Sequence, residues 1–385
     1  MTVGHSDPRQ FYIIAGEVSG DQHGAALMAA MQSQDASAQF TGIGGELMLA
    51  QGLAARFTAD QMAVVGFTEV FRKLPFLMGT MRKVLRHIER LRPERIILID
   101  YPGFNLRLAR RLAGSGIPVT YYISPQLWAW REGRIKIIRR HVDQMLVIFP
   151  FEEQWYLDRG VTATFVGHPI LDEAPPEMDR SAFLTSLGLD PGRPVITLYP
   201  GSRKDEVNRH LSVFHEAAQM VRQSKPEAQL LLGLAPGMDA ERIPPALRPD
   251  LHIAAQHPRL ALRYADVALI ASGTATLEAA VWGVPQVVVY RMSAFSAWLG
   301  RRLSKLPCFS MVNILAGKEL APEFLQERAQ AGPIAKSLLA YLDQAQLRES
   351  LFADLATLRE SLRGGGPAPE IGGGASARAA RQILG

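Results

Sequence analysis

The 385-residue chain reads as an α/β protein with two doubly wound parallel sheets, and three observations carry that reading. Short apolar runs alternate with helical patterns along most of the chain, the signature of βα units feeding a parallel sheet. Several runs end in a turn of Gly, Ser, Thr or an acid, where open parallel sheets hold their ligands. A break at Asp172-Glu173-Ala174-Pro175-Pro176-Glu177 reads as a linker between a first βα series and a second.

In chain order, residues 11–15 (FYIIA) form a buried strand, Gly16-Glu17-Val18-Ser19-Gly20-Asp21 a turn, and 23–31 an Ala/Met-rich helix. Glu17 and Asp21 stand at the strand's carboxyl end, and Asp21 also suits a helix-start cap. The turn is no dinucleotide fingerprint, since G-x-x-x-G differs from G-x-G-x-x-G, and the chain has no G-x-x-x-x-G-K-[ST] loop. Residues 62–91 combine a dense apolar set (Val64, Phe67, Phe71, Leu77, then Met81, Val84 and Ile88 at helical spacing) with Arg72, Lys73, Arg82, Lys83, Arg86 and Arg90. That pattern suits a helix lying in an anionic membrane interface, and equally a helix packed on the sheet with a solvated basic face. Strand 95–100 ends in Asp100 and leads through Tyr101-Pro102-Gly103-Phe104-Asn105 to a helix over 106–112. Strand 118–123, the loop 124–130, a basic helix 131–140, strand 144–149 and helix 151–159 follow, and Phe165-Val166-Gly167-His168-Pro169 closes the half.

The second series starts with strand 195–199, the turn Pro200-Gly201-Ser202-Arg203 and a helix marked by Val207, Leu211, Phe214, Ala218 and Val221. Arg203 is placed as a fixed cation for a diphosphate, or is a plain surface arginine. Strands over 230–234 and 252–255 precede 265–283, ADVALIASGTATLEAAVWG, which is strand, small hydroxyl-rich turn and helix. Free N–H groups and the dipole at that helix start suit an anion, with Gly273 admitting close approach and Ser272, Thr274 and Thr276 offering hydroxyls. A capping box from Thr274 would need its carboxylate at 277, which is Leu; Glu278 could instead accept the two hydroxyls of a ribose. Residues 307–326 carry Asn313 and Glu323 in loop context, 336–363 are helical, and a Gly-rich hinge leads to a helix over 375–384.

Composition narrows the class. Mean hydropathy of +0.02 and 48% hydrophobic residues fit a globular chain, and a net charge of +5 suits an anionic partner without naming it. One cysteine, Cys308, excludes an internal disulfide and fits a reducing compartment. No secretory signal and no run long enough to span a membrane is visible. The nine histidines form no H-x-H or H-E-x-x-H array and no D-x-D pair occurs, so neither metal nor cofactor is expected.

AGEVSGD at 15–21, IDYPGFN at 99–105, ISPQLWAW at 123–130, FVGHP at 165–169, YPGSR at 199–203, SGTATLE at 272–278 and YRMS at 290–293 together resemble the lipid-A-disaccharide synthase family. The matches run in order over nearly the whole chain. The resemblance implies a GT-B glycosyltransferase, two Rossmann-like domains facing across a cleft. It implies inverting, metal-independent transfer from UDP-2,3-diacylglucosamine to 2,3-diacylglucosamine-1-phosphate, releasing UDP and the β-1,6 disaccharide of lipid A. A cytoplasmic protein peripherally bound to the inner membrane, forming a homodimer and binding no nucleic acid, is implied as well. The division expected is 1–172 for the acceptor, with 62–91 facing the membrane, 173–363 for the UDP-sugar, and 364–385 as hinge and last helix. Asp100 is the first choice for the base, with Glu17 second; Gly201, Ser202, Arg203, Ser272, Gly273, Thr274, Thr276, Glu278 and Asn313 are expected at UDP; Val64, Phe67, Phe71 and Leu77 are expected at the acyl chains or membrane. Related sequences often carry a second acid where this chain has Gly103, so no role passes to that position. A UDP-N-acetylglucosamine 2-epimerase, a peptidoglycan transferase, or a non-catalytic lipid-binding protein on the membrane are the competing readings.

Overall fold

A computed structural model describes residues 8–58, 67–172, 178–234, 238, 243–292, 308–364 and 373–385, with main chain only at 18, 56–58 and 67–75. The chain divides into two compact units, Met1–Glu173 with Leu362–Gly385, and Ala174–Ser361.

The first unit holds β1 (Arg9–Ala15), β2 (Ala38–Gly44), β3 (Ala54–Thr58), β4 (Arg95–Ile99), β5 (Val119–Tyr122), β6 (Gln144–Val147) and β7 (Ala163–Phe165). All pair in parallel in the order β3-β2-β1-β4-β5-β6-β7. Strand order reverses between β1 and β4, whose register sets Ile13 beside Ile97 and Ala15 beside Ile99. Helices α1 (Val18–Gln34), α2 (Glu46–Ala50), α3 (Phe67–Leu91), α4 (Pro102–Arg111), α5 (Ile135–His141) and α6 (Pro150–Leu157) connect them. The core is aliphatic and aromatic: Tyr12 and Ile14 of β1, Ile96 and Leu98 of β4, Phe104 and Leu108 of α4, and Val84 and Ile88 of α3 are all buried.

The sequence pattern leaves β2 and β3 unread. Both are short of continuous apolar residues: AQFTGIG carries two glycines and AARFT an arginine. Helix α1 starts at Val18, so Gly20 and Asp21, expected in a turn, lie in its first turns. The membrane-facing expectation for 62–91 divides. Met81, Val84 and Ile88 are buried against the sheet, and Leu77, expected at the acyl chains or membrane, is half-buried and packs partly against the same core. Phe76 and Met78 instead stand 42% and 46% exposed. Val64 lies outside the described residues, and Phe67 and Phe71 are described as helix without side chains.

The second unit holds β8 (Val195–Tyr199), β9 (Gln229–Gly233), β10 (His252–Ala254), β11 (Val267–Ala271), β12 (Gln286–Tyr290) and β13 (Glu323–Leu325), all parallel in the order β10-β9-β8-β11-β12-β13. Its order reverses between β8 and β11. Helices α7 (Arg180–Ser186), α8 (Lys204–Ser224), α9 (Pro258–Arg263), α10 (Thr274–Val281), α11 (Met311–Ala316), α12 (Ala331–Asp343) and α13 (Ala345–Ser361) complete it. Two expectations shift here. Glu323 belongs to a strand rather than a loop, and the single helix expected over 336–363 is two, parted at Gln344, whose extended ψ of 95° breaks the helical ladder.

After Ser361 the chain returns to the first unit, where α14 (Ala375–Leu384) packs on α1. Asp172 accepts the N–H of Ala375 at 2.7 Å and of Ser376 at 2.8 Å, satisfying two donors that the helix start leaves open. Arg378 donates Nε to the Val166 carbonyl at 2.7 Å and its other N–H groups to the carbonyls of Gly373 and Arg363. The motif at 165–169 is therefore the seat of the last helix.

Candidate active site at two sheet switch points

In each sheet the strand order reverses at one place, and there the two flanking loops diverge and leave a crevice beyond the strands' carboxyl ends. In the first unit those ends are Gly16-Glu17 after β1 and Asp100-Tyr101 after β4. In the second they are Pro200–Arg203 after β8 and Ser272–Thr276 after β11. The motifs expected to carry chemistry thus fall at the two switch points.

At the first, Asp100 and Tyr101 both adopt left-handed backbone, with φ of 42° and 45°. Two such residues in a row cost on the order of 1–3 kcal/mol each and persist only where the surroundings hold them. Asn105 holds them by donating Nδ2 to the carbonyls of Ile99 (3.0 Å) and Asp100 (2.8 Å). The Tyr121 hydroxyl donates to the Asp100 carbonyl at 2.5 Å, and the Asp100 N–H to Tyr122 at 3.2 Å. Gly16 is required because the Tyr101 ring covers it; a Cβ there would lie 2.4 Å from Cδ1. Burial pushes the Asp100 carboxyl up to about 7, Glu17 adds to the rise, and the Tyr101 N–H opposes it. Glu17 itself is exposed at the head of α1. Asp21 does cap a helix, but not its own. Its carboxylate accepts from Gly45 (2.7 Å), Leu47 (3.0 Å) and Met48 (3.1 Å), starting α2 and removing it from the candidates for chemistry.

The loop 124–130 beyond β5 is fixed by a residue the sequence reading overlooked. Glu152, buried in the first turn of α6, accepts from the Ser124 hydroxyl, Trp128 Nε1 (3.1 Å), and the N–H groups of Ile148 (3.3 Å) and Phe149 (3.1 Å). Burial outweighs these bonds and pushes its carboxyl up to about 7. An acid two places after Pro150 at a helix start was the available signal.

At the second switch point, Arg203 precedes α8 with its side chain 64% exposed. Glu206 folds back on the turn, accepting the N–H of Ser202 (3.1 Å) and of Arg203 (3.3 Å) and the Arg203 guanidinium (3.2 Å). Gly201 has φ +119°, and a Cβ on it would collide with Glu206 at 2.6 Å. The turn's amides are thus already committed to a carboxylate, and what it presents outward is the guanidinium. His210, invisible in an otherwise apolar helical stripe, anchors the turn. Its Nδ1 bonds the Pro200 carbonyl at 3.1 Å and its Nε2 accepts the Arg291 N–H at 2.8 Å, so the imidazole is the neutral Nδ1–H tautomer.

In the facing turn, the Ser272 N–H goes to Val289 and the Thr276 N–H to Gly273, leaving the amides of 273–275 as donors for an anion at the start of α10. No side chain caps that helix. Gly273 and Thr274 are exposed, and no described atom lies within 4 Å of where a Gly273 Cβ would stand. Thr276 is buried with its hydroxyl given to the Gly273 carbonyl at 2.8 Å, so it shapes the turn rather than meeting a ligand. Among the described residues the Ser272 hydroxyl makes a long 3.4 Å contact to the Phe309 carbonyl. Glu278 is half-buried and pairs with Arg259 at 3.3 Å, and burial together with Glu278 pushes the neighbouring Tyr199 hydroxyl up to about 12. The Asn313 amide is fully engaged: Nδ2 donates to Ala321 (2.8 Å) and Glu323 (2.9 Å), and Oδ1 accepts from Leu320 (2.8 Å) and Ala321 (2.9 Å). Its expected contact with UDP is therefore corrected to a structural one. Glu323 in turn accepts the N–H groups of Phe309 and Ser310, both at 2.9 Å.

Comparison with known proteins follows the same lines. The model of the Lipid-A-disaccharide synthetase family matches residues 11–363. A Lipid-A-disaccharide synthase of Syntrophus aciditrophicus is 42% identical over 354 residues, covering 91% of this chain and 92% of that protein. One of Geobacter sulfurreducens is 40% identical over 364 residues, covering 94% and 95%. Among solved structures, the glycotransferase of kitacinnamycin superposes with a TM-score of 0.65 at 15% identity, covering 98% of this chain and 99% of that one. The UDP-GlcNAc 2-epimerase of Neisseria meningitidis bound to UDP-GlcNAc gives 0.63 at 11%, covering 97% and 99%. These structural likenesses speak to the fold.

Proposed function

The chain belongs to the lipid-A-disaccharide synthase family, and from that premise we propose which of its residues carry the reaction. The activity is UDP-sugar-dependent glycosyl transfer in lipid A synthesis. In it 2,3-diacylglucosamine passes from UDP to the 6-hydroxyl of 2,3-diacylglucosamine-1-phosphate.

In our reading Asp100 is the base. Its carboxylate takes the proton of the acceptor's 6-hydroxyl as that oxygen bonds to C1 of the donor sugar. The bond from C1 to the UDP oxygen breaks, UDP leaves with the electron pair, and attack from the opposite face inverts C1. Arg203 and the amides of 273–275 neutralise the departing diphosphate, and Glu278 takes the ribose hydroxyls while facing Arg259. Burial, with Glu17 adding to it, keeps the Asp100 conjugate acid near neutrality, where a base works best at physiological pH. The observation that carries this assignment is the raised carboxyl of Asp100, on strained backbone beyond β4 at the switch point. The test is incubation of the purified protein with both substrates and a chelator. UDP and a β-1,6 disaccharide are expected; neither product, or UDP without disaccharide, defeats the reading.

We propose further that the protein works as a homodimer at the membrane surface. Among the described residues no helix is long and apolar enough to cross a membrane. Phe76 and Met78, exposed on α3 ahead of the exposed Arg82 and Arg86, support an interfacial contact for substrates whose acyl chains hold them in lipid. Sedimentation in detergent checks the dimer.

A further inference from the structure

Three arginines of the first unit gather where, among the described residues, no carboxylate pairs with them. Arg107 projects from α4, which begins directly after Asp100 and Tyr101, and is exposed. Arg131 follows the loop beyond β5 in left-handed backbone, φ 57°, with its guanidinium 4.0 Å from the Trp130 ring centroid. Arg134 ends the short 3₁₀ turn Glu132–Arg134, its N–H on the Arg131 carbonyl at 3.0 Å, and α5 carries that turn against α4. Burial, then Arg131, then Arg107 hold the Arg134 guanidinium below its ordinary value, while Tyr121 opposes them. Arg107 likewise acts on Tyr101. Glu132, the one acid within the turn, is drawn off to Arg159 at 2.8 Å. Among the described residues Arg107, Arg131 and Arg134 form no ion pair.

Like charges held together without a counter-ion raise the free energy of the free protein and favour whatever anion enters. Guanidinium groups suit phosphate oxygens best, since their planar fork donates two parallel hydrogen bonds. The two tyrosines that this cluster acts on, Tyr101 and Tyr121, are the ones that flank Asp100.

We propose that Arg107, Arg131 and Arg134 form the subsite for the phosphate monoester of the acceptor sugar, with Trp130 backing the Arg131 guanidinium. This rests on the assignment of Asp100 as base. The acceptor carries its phosphate on C1 and its nucleophilic hydroxyl on C6, two exocyclic positions on either side of the ring oxygen, fixed relative to each other by one ring. A phosphate seated on the arginines therefore turns the hydroxyl toward the carboxylate. The same cluster disfavours a sugar that lacks the phosphate, because the like charges around the half-buried Arg134 are then left without an anion.

The experiment compares Arg107→Gln, Arg131→Gln and Arg134→Gln, singly and combined, using acceptors with and without the 1-phosphate at saturating donor. Each single change is expected to raise the acceptor KM about tenfold or more, the scale of a lost charge-assisted hydrogen bond. The donor KM stays within about threefold, and the preference for phosphorylated over unphosphorylated acceptor falls toward one. Direct titration with glucosamine-1-phosphate against glucosamine reads the subsite independently of turnover, and the triple variant is expected to lose the difference. An unchanged preference ratio overturns the proposal, as does an equal loss on both acceptors. Binding to phosphatidylglycerol vesicles is measured beside phosphatidylcholine. Variants that lose the anionic vesicles but keep the acceptor preference assign the cluster to the membrane and defeat the proposal. Full turnover by Asp100→Asn with the phosphate preference intact instead defeats the base assignment and leaves the subsite standing.

Discussion

Asp100 combines the two properties a base in this reaction needs, a conjugate acid near neutrality and a fixed direction. Burial supplies the first and the left-handed corner held by Asn105 and Tyr121 the second. Asp100→Asn is expected to lower kcat by about 10²–10⁴ while leaving UDP affinity near wild type, measured by steady-state kinetics and titration calorimetry. In the wild type, activity should rise with pH to a plateau above about 7 as this carboxyl ionises. Glu278→Ala is expected to weaken UDP binding by about 1–3 kcal/mol, the scale for hydrogen bonds to a charged group. Unchanged affinity in a calorimetric titration would mean that Glu278 serves only Arg259. At this scale the sequence singles out Asp100, Arg203 and Glu278 as candidates but not the residues that hold them. Glu152, His210 and Asn105 become visible only when the backbone groups they bond are known, because each bonds main-chain atoms that any residue could supply.

The elements themselves show what patterning can and cannot say. Central strands such as β8 and β11 read correctly because burial on both faces forces continuous apolar runs. The edge strand β3 and its neighbour β2 did not, because their residues are small or polar. Helix α3 packs Met81, Val84 and Ile88 inward while Phe76 and Met78 stay exposed. Replacing Phe76 and Met78 with serine should therefore move the protein toward the soluble fraction in a vesicle-flotation assay without lowering its melting temperature by more than a degree or two, since neither side chain is buried. For α14, Asp172→Ala removes two helix-start acceptors 203 and 204 residues away in sequence and should cost about 1–2 kcal/mol in urea unfolding. Faster amide exchange confined to 375–384 is the accompanying sign.

Across the whole molecule, buried ionisable groups set the pH range of stability. His23 and His168 are held by burial down to about 4 and about 3, against about 6.5 in an unfolded chain. Their unfolded forms take up protons first, so stability drains away as pH falls from about 6.5 toward 3. Asp100 and Glu152, both raised to about 7, act in the other direction: the folded state keeps their protons, so their contribution is lost as pH rises from about 4 to 7. His168→Asn keeps an acceptor for the Ile170 N–H that Nδ1 now meets at 3.1 Å. Relative to wild type, its urea midpoint should improve progressively as pH is lowered below about 6.5. A constant difference across that range would remove His168 from the account.

By itself the sequence determined the class of fold and the strand-end motifs from which the family follows, because both depend on local periodicity and local turn chemistry. The tertiary structure alone decided strand order, and with it that these motifs flank the reversal points of both sheets. It also decided which polar groups were spent on the fold: Asp21 on α2, Asn313 on the 320–323 segment, Thr276 on its own turn. Those outcomes hang on hydrogen-bond partners distant in the chain or set by backbone geometry, and a one-dimensional pattern carries no information about either.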